Sequence, residues 1–131
     1  MMSHAAARWI ATVLLLGLVA APVVAQQKPE KTKGVEESRL QQFGVLQIAP
    51  GRDLRLRRIV FAPGGAVAEH SHSDRPGMVY VLEGSMTERR GGTARVVKAG
   101  DSWIEDAGTL HWLENNTDKP CVFLAVDLIK P

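Results

Sequence analysis

From Leu40 onward every apolar stretch of this chain is cut short by turn residues. "LQQFGVLQI" meets "APG", "LRLRRIVF" meets "APGG", and "AVAEHSH" meets "SDRPG". "MVYVLEG", "SMTERRGG", "ARVVKAG", "DSWIEDAG", "TLHWLENN" and "PCVFLAVDLI" complete the series. A helix that buries one face needs apolar residues recurring with helical period over about ten or more positions. None of these stretches offers that. Short strands at near-regular spacing instead predict an all-β sandwich or barrel forming a single domain. Alternation is plain in "DLRLR", where Leu54 and Leu56 share one face and Asp53, Arg55 and Arg57 the other. Arg52, Arg55, Arg57 and Arg58 form a set that can attract an anion, but the reading expected is a solvated strand face or an oligomer rim.

Residues 1–25 read differently. "MMSHAAAR" is short and weakly basic, "WIATVLLLGLVAAPVV" is apolar and uncharged, and Val23 and Ala25 put small residues before polar "QQKPEK". This is the layout of a secretory signal peptide. A membrane anchor is the alternative, but the run falls short of the roughly 20 apolar residues that span a bilayer. No Arg-Arg pair precedes the run, which favours general secretion over the twin-arginine route, and no cysteine follows the cut, so the lipoprotein pattern is not met. The expected organisation is therefore a signal peptide over 1–25, a flexible polar leader over 26–38, and a β-barrel over 39–131. The protein is expected to be periplasmic or secreted from a bacterial cell, with no membrane association after cleavage.

Net charge is +2, too small to imply a nucleic-acid partner, and no basic run carries interleaved aromatics. Cys121 is the only cysteine, so no internal disulfide is possible, and it is expected to pack as a small hydrophobe. Stability must then come from a closed fold, from oligomerisation or from a metal.

Loss of the signal peptide removes His4 and leaves His70, His72 and His111. Residues i and i+2 of a strand project to one side, so "HSH" presents two imidazoles in parallel. They can reach one ion at the roughly 2.0–2.1 Å of a metal–imidazole bond. His111, in "GTLHWLEN", is the remaining imidazole.

"GGAVAEHSHSDRPGMVYVLEG" resembles the first signature of the cupin superfamily, and "GDSWIEDAGTLHWLEN" resembles the second. Gly64, His70, His72 and Gly84 fit the first, and Gly100, Gly108, His111 and Asn115 fit the second. The resemblance implies a jelly-roll β-barrel of the compact, single-domain bacterial type, with a metal on the three histidines and a homodimeric assembly. It also implies a glutamate ligand where this chain has Gly77, and a proline where it has Asp106. Other carboxylates are poor substitutes: Asp74 lies in a turn, Glu69 has the wrong parity, and Glu83 is far along the strand.

The expected site is thus three histidines with no glutamate, as in the superfamily's thiol dioxygenases. Its uncompensated divalent ion would hold water, hydroxide or an anionic substrate. Fe(II) is favoured, while Zn, Mn, Ni and Cu remain open. The ligand or substrate is a small molecule, and dioxygenation is the leading reaction. Loss of the glutamate also fits a non-catalytic periplasmic cupin that holds a small ligand or metal, or a site with no metal at all. Gly77, Val79 and Val81 are expected to line the cavity. Trp103 and Trp112 are expected to pack, Tyr80 to face away, and Asp106 to be a solvated turn residue. On this reading Gly77→Glu should restore a four-ligand site.

Intact mass of protein recovered from the periplasm is expected to correspond to a chain beginning at Gln26. A full-length chain in the membrane fraction would contradict that.

Overall fold

Among the described residues, glycine- and proline-rich turns separate eight strands: β1 (Lys33–Phe43), β2 (Asp53–Ser71), β3 (Gly77–Glu83), β4 (Ser85–Arg90), β5 (Thr93–Lys98), β6 (Ser102–Glu105), β7 (Leu110–Glu114) and β8 (Cys121–Ile129). This computed structural model describes residues 27–43 and 50–130, so the expected signal peptide lies outside the described residues. No helix occurs among the described residues, and none is therefore long and apolar enough to cross a membrane.

The strands form one antiparallel sheet in the order β5-β4-β7-β2-β8-β3-β6, with β1 paired to β2 off that path. The sheet curls about its inward face as a jelly-roll half-barrel. β2 is long enough to serve both halves. Its first part pairs with β8 from Asp53↔Ile129 to Phe61↔Cys121, and its last part pairs with β7 from Ala66↔Glu114 to Ser71↔Leu110. Inward residues of several strands meet in one apolar core that includes Ile59, Phe61, Val81, Met86, Phe123 and Cys121. Phe61 and Phe123 pack with ring centroids 5.2 Å apart and planes tilted by 52°, and Trp103 packs edge-on against Phe123. Gly84 closes the β3–β4 turn at a φ of 74°, where a side chain would also run into the Pro120 carbonyl.

Two expectations need correction. Lys33–Ser38, assigned to a flexible leader, belongs to β1. Its register on β2 runs through Val35↔Phe61 and Glu37↔Ile59. An edge strand held by the backbone ladder of its neighbour needs little apolar face of its own, so its polar sequence misleads. The second concerns the arginines. Arg55 and Arg57 are not on a solvated face but point inward with Asp53, while Leu54 and Leu56 take the outer face, half-buried.

The inward charges are compensated by Asp127 of β8, the register partner of Arg55. Arg55 donates Nε to Oδ1 at 3.0 Å and Nη2 to Oδ2 at 2.6 Å. Arg57 donates to Asp127 Oδ2 at 3.1 Å and to Glu37 Oε2 at 2.9 Å. Asp127 is only 2% exposed, and removing it would leave one buried and one half-buried cation without their shared carboxylate. Asp127→Ala is expected to destabilise the fold by about 3–5 kcal/mol, the usual result of breaking a buried pair on one side. Urea denaturation measures this. A loss below about 1 kcal/mol, typical of a surface pair, would contradict the assignment.

Candidate metal centre

β2 and β7 bring the first two histidines together as direct register partners, His70↔His111. The ladder between these strands is irregular between Val67 and His70. The one extra residue there re-aims the strand end, a common use of a β-bulge beside a site. His72 follows immediately after β2, where its backbone N–H donates to the Thr109 carbonyl at 3.0 Å and keeps the chain extended. His70 and His72 therefore still project to the same side.

The three rings converge. Nε2 of His72 lies 3.0 Å from Nε2 of His70 and 3.1 Å from Nε2 of His111, and the third side of the triangle is 3.2 Å. The other nitrogen of each ring is anchored outward. His70 Nδ1 donates to the Ala68 carbonyl at 2.9 Å, His72 Nδ1 to the Arg75 carbonyl at 3.2 Å, and His111 Nδ1 to Glu88 Oε1 at 2.7 Å. These partners only accept, so the Nδ1 positions carry the protons and a neutral ring has only a lone pair at Nε2. Burial pushes His70 and His72 down to about 4, which keeps both rings neutral near pH 7.

Three lone pairs facing one another at 3 Å call for a cation between them. Two donors about 2.1 Å from one ion sit about 3.0 Å apart at right angles and about 3.4 Å apart at the tetrahedral angle. The observed triangle lies in that range, so His70, His72 and His111 could hold a metal ion. Its near-right-angle end corresponds to three donors on one face of an octahedron, with positions left for other ligands.

Glu88 of β4 is the residue behind His111, fully buried at 1% exposure. Burial opposes its ionisation, but hydrogen bonds from His111 and Arg95 and the charge of Arg90 hold its carboxyl down at about 2. An ionised acceptor on Nδ1 fixes the tautomer and orientation of a ligating histidine. Glu105 of β6 is a second buried carboxylate, with Oε2 3.3 Å from His72 Nδ1 and Oε1 3.5 Å from His111 Nε2. Burial raises its pKa. Neither glutamate was singled out from sequence, although each alternates with an inward apolar residue, Met86 before Glu88 and Trp103 before Glu105.

A cavity of about 50 Å³ opens beside the histidines, walled by His70, His72, Arg57, Arg75, Val79 and Glu105 among others. Val79 is on its wall. Val81 is not: it is fully buried in the core. Gly77 is not on the wall either, because its backbone lies against β8. A Cβ there would sit 2.3 Å from the Val126 carbonyl oxygen and 2.9 Å from Asp127 Cβ. Gly77→Glu therefore has no room to restore a ligand. Asp74 is exposed and pairs with Lys130, and Glu69 pairs with Lys28. Trp103 and Trp112 are buried, and Tyr80 is 47% exposed. Exposed Asp106 accepts from Gly108 N and Thr109 Oγ1 within its turn. Asn115 is structural, donating to the carbonyls of Phe61, Ala62 and Lys119.

The family model described as "Cupin domain" matches residues 57–127. Germin-like protein 5-1 of Oryza sativa subsp. japonica is 33% identical over 75 residues, covering 53% of this chain and 34% of that protein. The oxalate-binding protein of Thermotoga maritima is 32% identical over 72 residues, covering 55% of this chain and 60% of its own length. The chain thus spans about a third of the germin-like protein and somewhat more than half of the oxalate-binding one. Among solved structures, the polyketide cyclase RemF of Streptomyces resistomycificus superposes with a TM-score of 0.62 at 24% identity, over 79% of this chain and 70% of that one. A Cupin 2 conserved barrel domain protein from Salinispora arenicola CNS-205 superposes at 0.60 and 22% identity, over 85% and 88%. At these identities the structural likeness concerns the fold alone.

The metal-free protein is expected to melt at progressively lower temperature as pH falls from about 6.5 through about 4. Over that window His70 and His72 take up protons in the unfolded chain before they do so in the folded one, so the stability their neutral forms carry is lost. Calorimetry of the chelator-treated protein across that range checks this. A melting temperature that stays flat, or rises on acidification, would contradict the buried neutral triangle.

Proposed function

The chain belongs to the cupin family, and from that membership and its histidine triangle we infer a small cupin that binds a divalent transition metal and acts on a small molecule there. The observation that carries this is the convergence of three Nδ1-anchored imidazoles to 3.0–3.2 Å at Nε2. His70, His72 and His111 are the ligands. Fe(II) is the favoured metal, with Zn, Mn, Ni and Cu as competitors, since imidazole serves them all. When bound, such an ion supplies Lewis acidity and positions for exogenous ligands.

The chain's own residues set the rest. Val79, Phe61 and Phe123 give the cavity a dry side, while Arg57 and Arg75 offer cationic donors at its wall. A single water needs roughly 10–15 Å³ of such space, so about 50 Å³ fits a ligand of only a few heavy atoms. Dioxygenation of a small molecule is the leading reaction, because three neutral donors leave positions for two further ligands. The second reading is a non-catalytic cupin that holds a small acid. It is favoured by the cationic wall and by similarity to a protein named as oxalate-binding.

On this proposal the protein is exported to the periplasm or secreted through its N-terminal segment. It pairs with a second copy, a reading supported by Met78, Tyr80 and Ile104, which leave an apolar outer face on adjoining strands β3 and β6 at 56%, 47% and 66% exposure.

Elemental analysis of the purified protein, followed by oxygen uptake with Fe(II) and a panel of small thiols and small acids, tests the assignment. About one ion per chain with substrate-dependent uptake is expected. Bound metal with saturable acid binding and no turnover selects the second reading. Protein that takes up no metal contradicts the metal site itself.

A further inference from the structure

The cupin pattern puts a glutamate where this chain has Gly77, and the sheet delivers a carboxylate to the same row from the next strand. Gly77 of β3 and Glu105 of β6 are direct register partners. Residues opposite each other in an antiparallel pair project from one face with Cβ atoms about 4.5–5.5 Å apart. A side chain on β6 can therefore approach the inward face from beside position 77, where β8 leaves no room for one.

We propose that Glu105 is the acidic fourth donor of the metal site, supplied from β6 because β3 has no room for one. This rests on the three-histidine reading above. Glu105 is 5% exposed, and among the described residues no lysine or arginine nitrogen lies within 4 Å of its carboxylate. Its close basic neighbours are the two histidines, and Trp103 Nε1 donates to Oε1 at 3.2 Å. Buried carboxylates are normally paired or coordinate a metal. Every other carboxylate near the site is already committed. Asp127 is gripped by Arg55 and Arg57, Glu88 holds the far nitrogen of His111, and Asp74 and Glu69 pair with lysines on the surface. The separation of 3.5 Å between Glu105 Oε1 and His111 Nε2 compares with about 3.0 Å for adjacent donors on one ion. Glu105 stands just outside the cluster formed by the three histidines, so ligation requires its side chain to turn toward them.

Competitive Co(II) titration and visible absorption of Co(II)-loaded protein test this on wild type, His111→Ala and Glu105→Gln. The amide is nearly the same size, so the metal-free fold should survive, and a metal-free melting curve checks that. Glu105→Gln is expected to bind Co(II) at least about tenfold more weakly and to shift the ligand-field bands. Affinity within twofold of wild type, or an unchanged spectrum at any affinity, overturns the assignment while leaving the histidine site standing. Wild type that binds no Co(II), or His111→Ala that binds it as wild type does, removes the three-histidine reading and this one together. Should Glu105→Gln not fold, Glu105→Asp is read in its place. It draws the oxygens back by one methylene, and the same two outcomes decide.

Discussion

Three imidazole nitrogens point at one another across 3 Å, and each ring is held there by a hydrogen bond from its other nitrogen. Much of the architecture serves that arrangement. The irregularity in β2 re-aims His70 and puts the Ala68 carbonyl under its Nδ1. The Thr109 carbonyl holds His72 in extended backbone after the strand has ended. Glu88, kept ionised by its arginines, fixes His111 from behind. Burial holds His70 and His72 at about 4, so protons do not relieve the crowding of lone pairs at neutral pH. A cation bound there would remove a cost the fold otherwise carries, and binding would stabilise the native state.

The inward face is divided along β2 rather than uniformly apolar. Asp53, Arg55 and Arg57 occupy one end and Ile59 and Phe61 the other. The charged end is closed by Asp127, and the apolar end by aromatic packing of Phe61, Phe123 and Trp103. The cavity lies where these two regimes meet. It can thus combine a dry wall, cationic donors and buried carboxylates within a few residues of the histidines.

The fold was largely legible in the chain, because turn residues cut it into lengths that only strands can use. The pairing of His70 with His111 was not legible from spacing. It depends on a β2–β7 register that residue parity cannot supply, and the cupin resemblance carried it. Glu88, Glu105 and Asp127 were passed over for a physical reason. A charged residue alternating with Met86, Trp103 or Ala125 has the same parity as the core, yet a charge in a strand ordinarily marks the solvated face. Only the partners on other strands reveal that Glu88 and Asp127 are compensated inside and that Glu105 faces the histidines. The Lys33–Ser38 part of β1 was missed for the opposite reason, since its pairing energy lies in the backbone ladder with β2 rather than in its own side chains.

The central claim is that three neutral imidazoles, each protonated at Nδ1, meet one ion through Nε2. Proton NMR of the Co(II)-substituted protein in water tests it most directly, because the paramagnetic ion shifts the N–H protons of ligated rings far from the rest of the spectrum. Three strongly shifted signals that vanish in heavy water, one lost in each of His70→Ala, His72→Ala and His111→Ala, is the predicted result. Fewer than three such signals, or three that persist when one of these histidines is replaced, would contradict it.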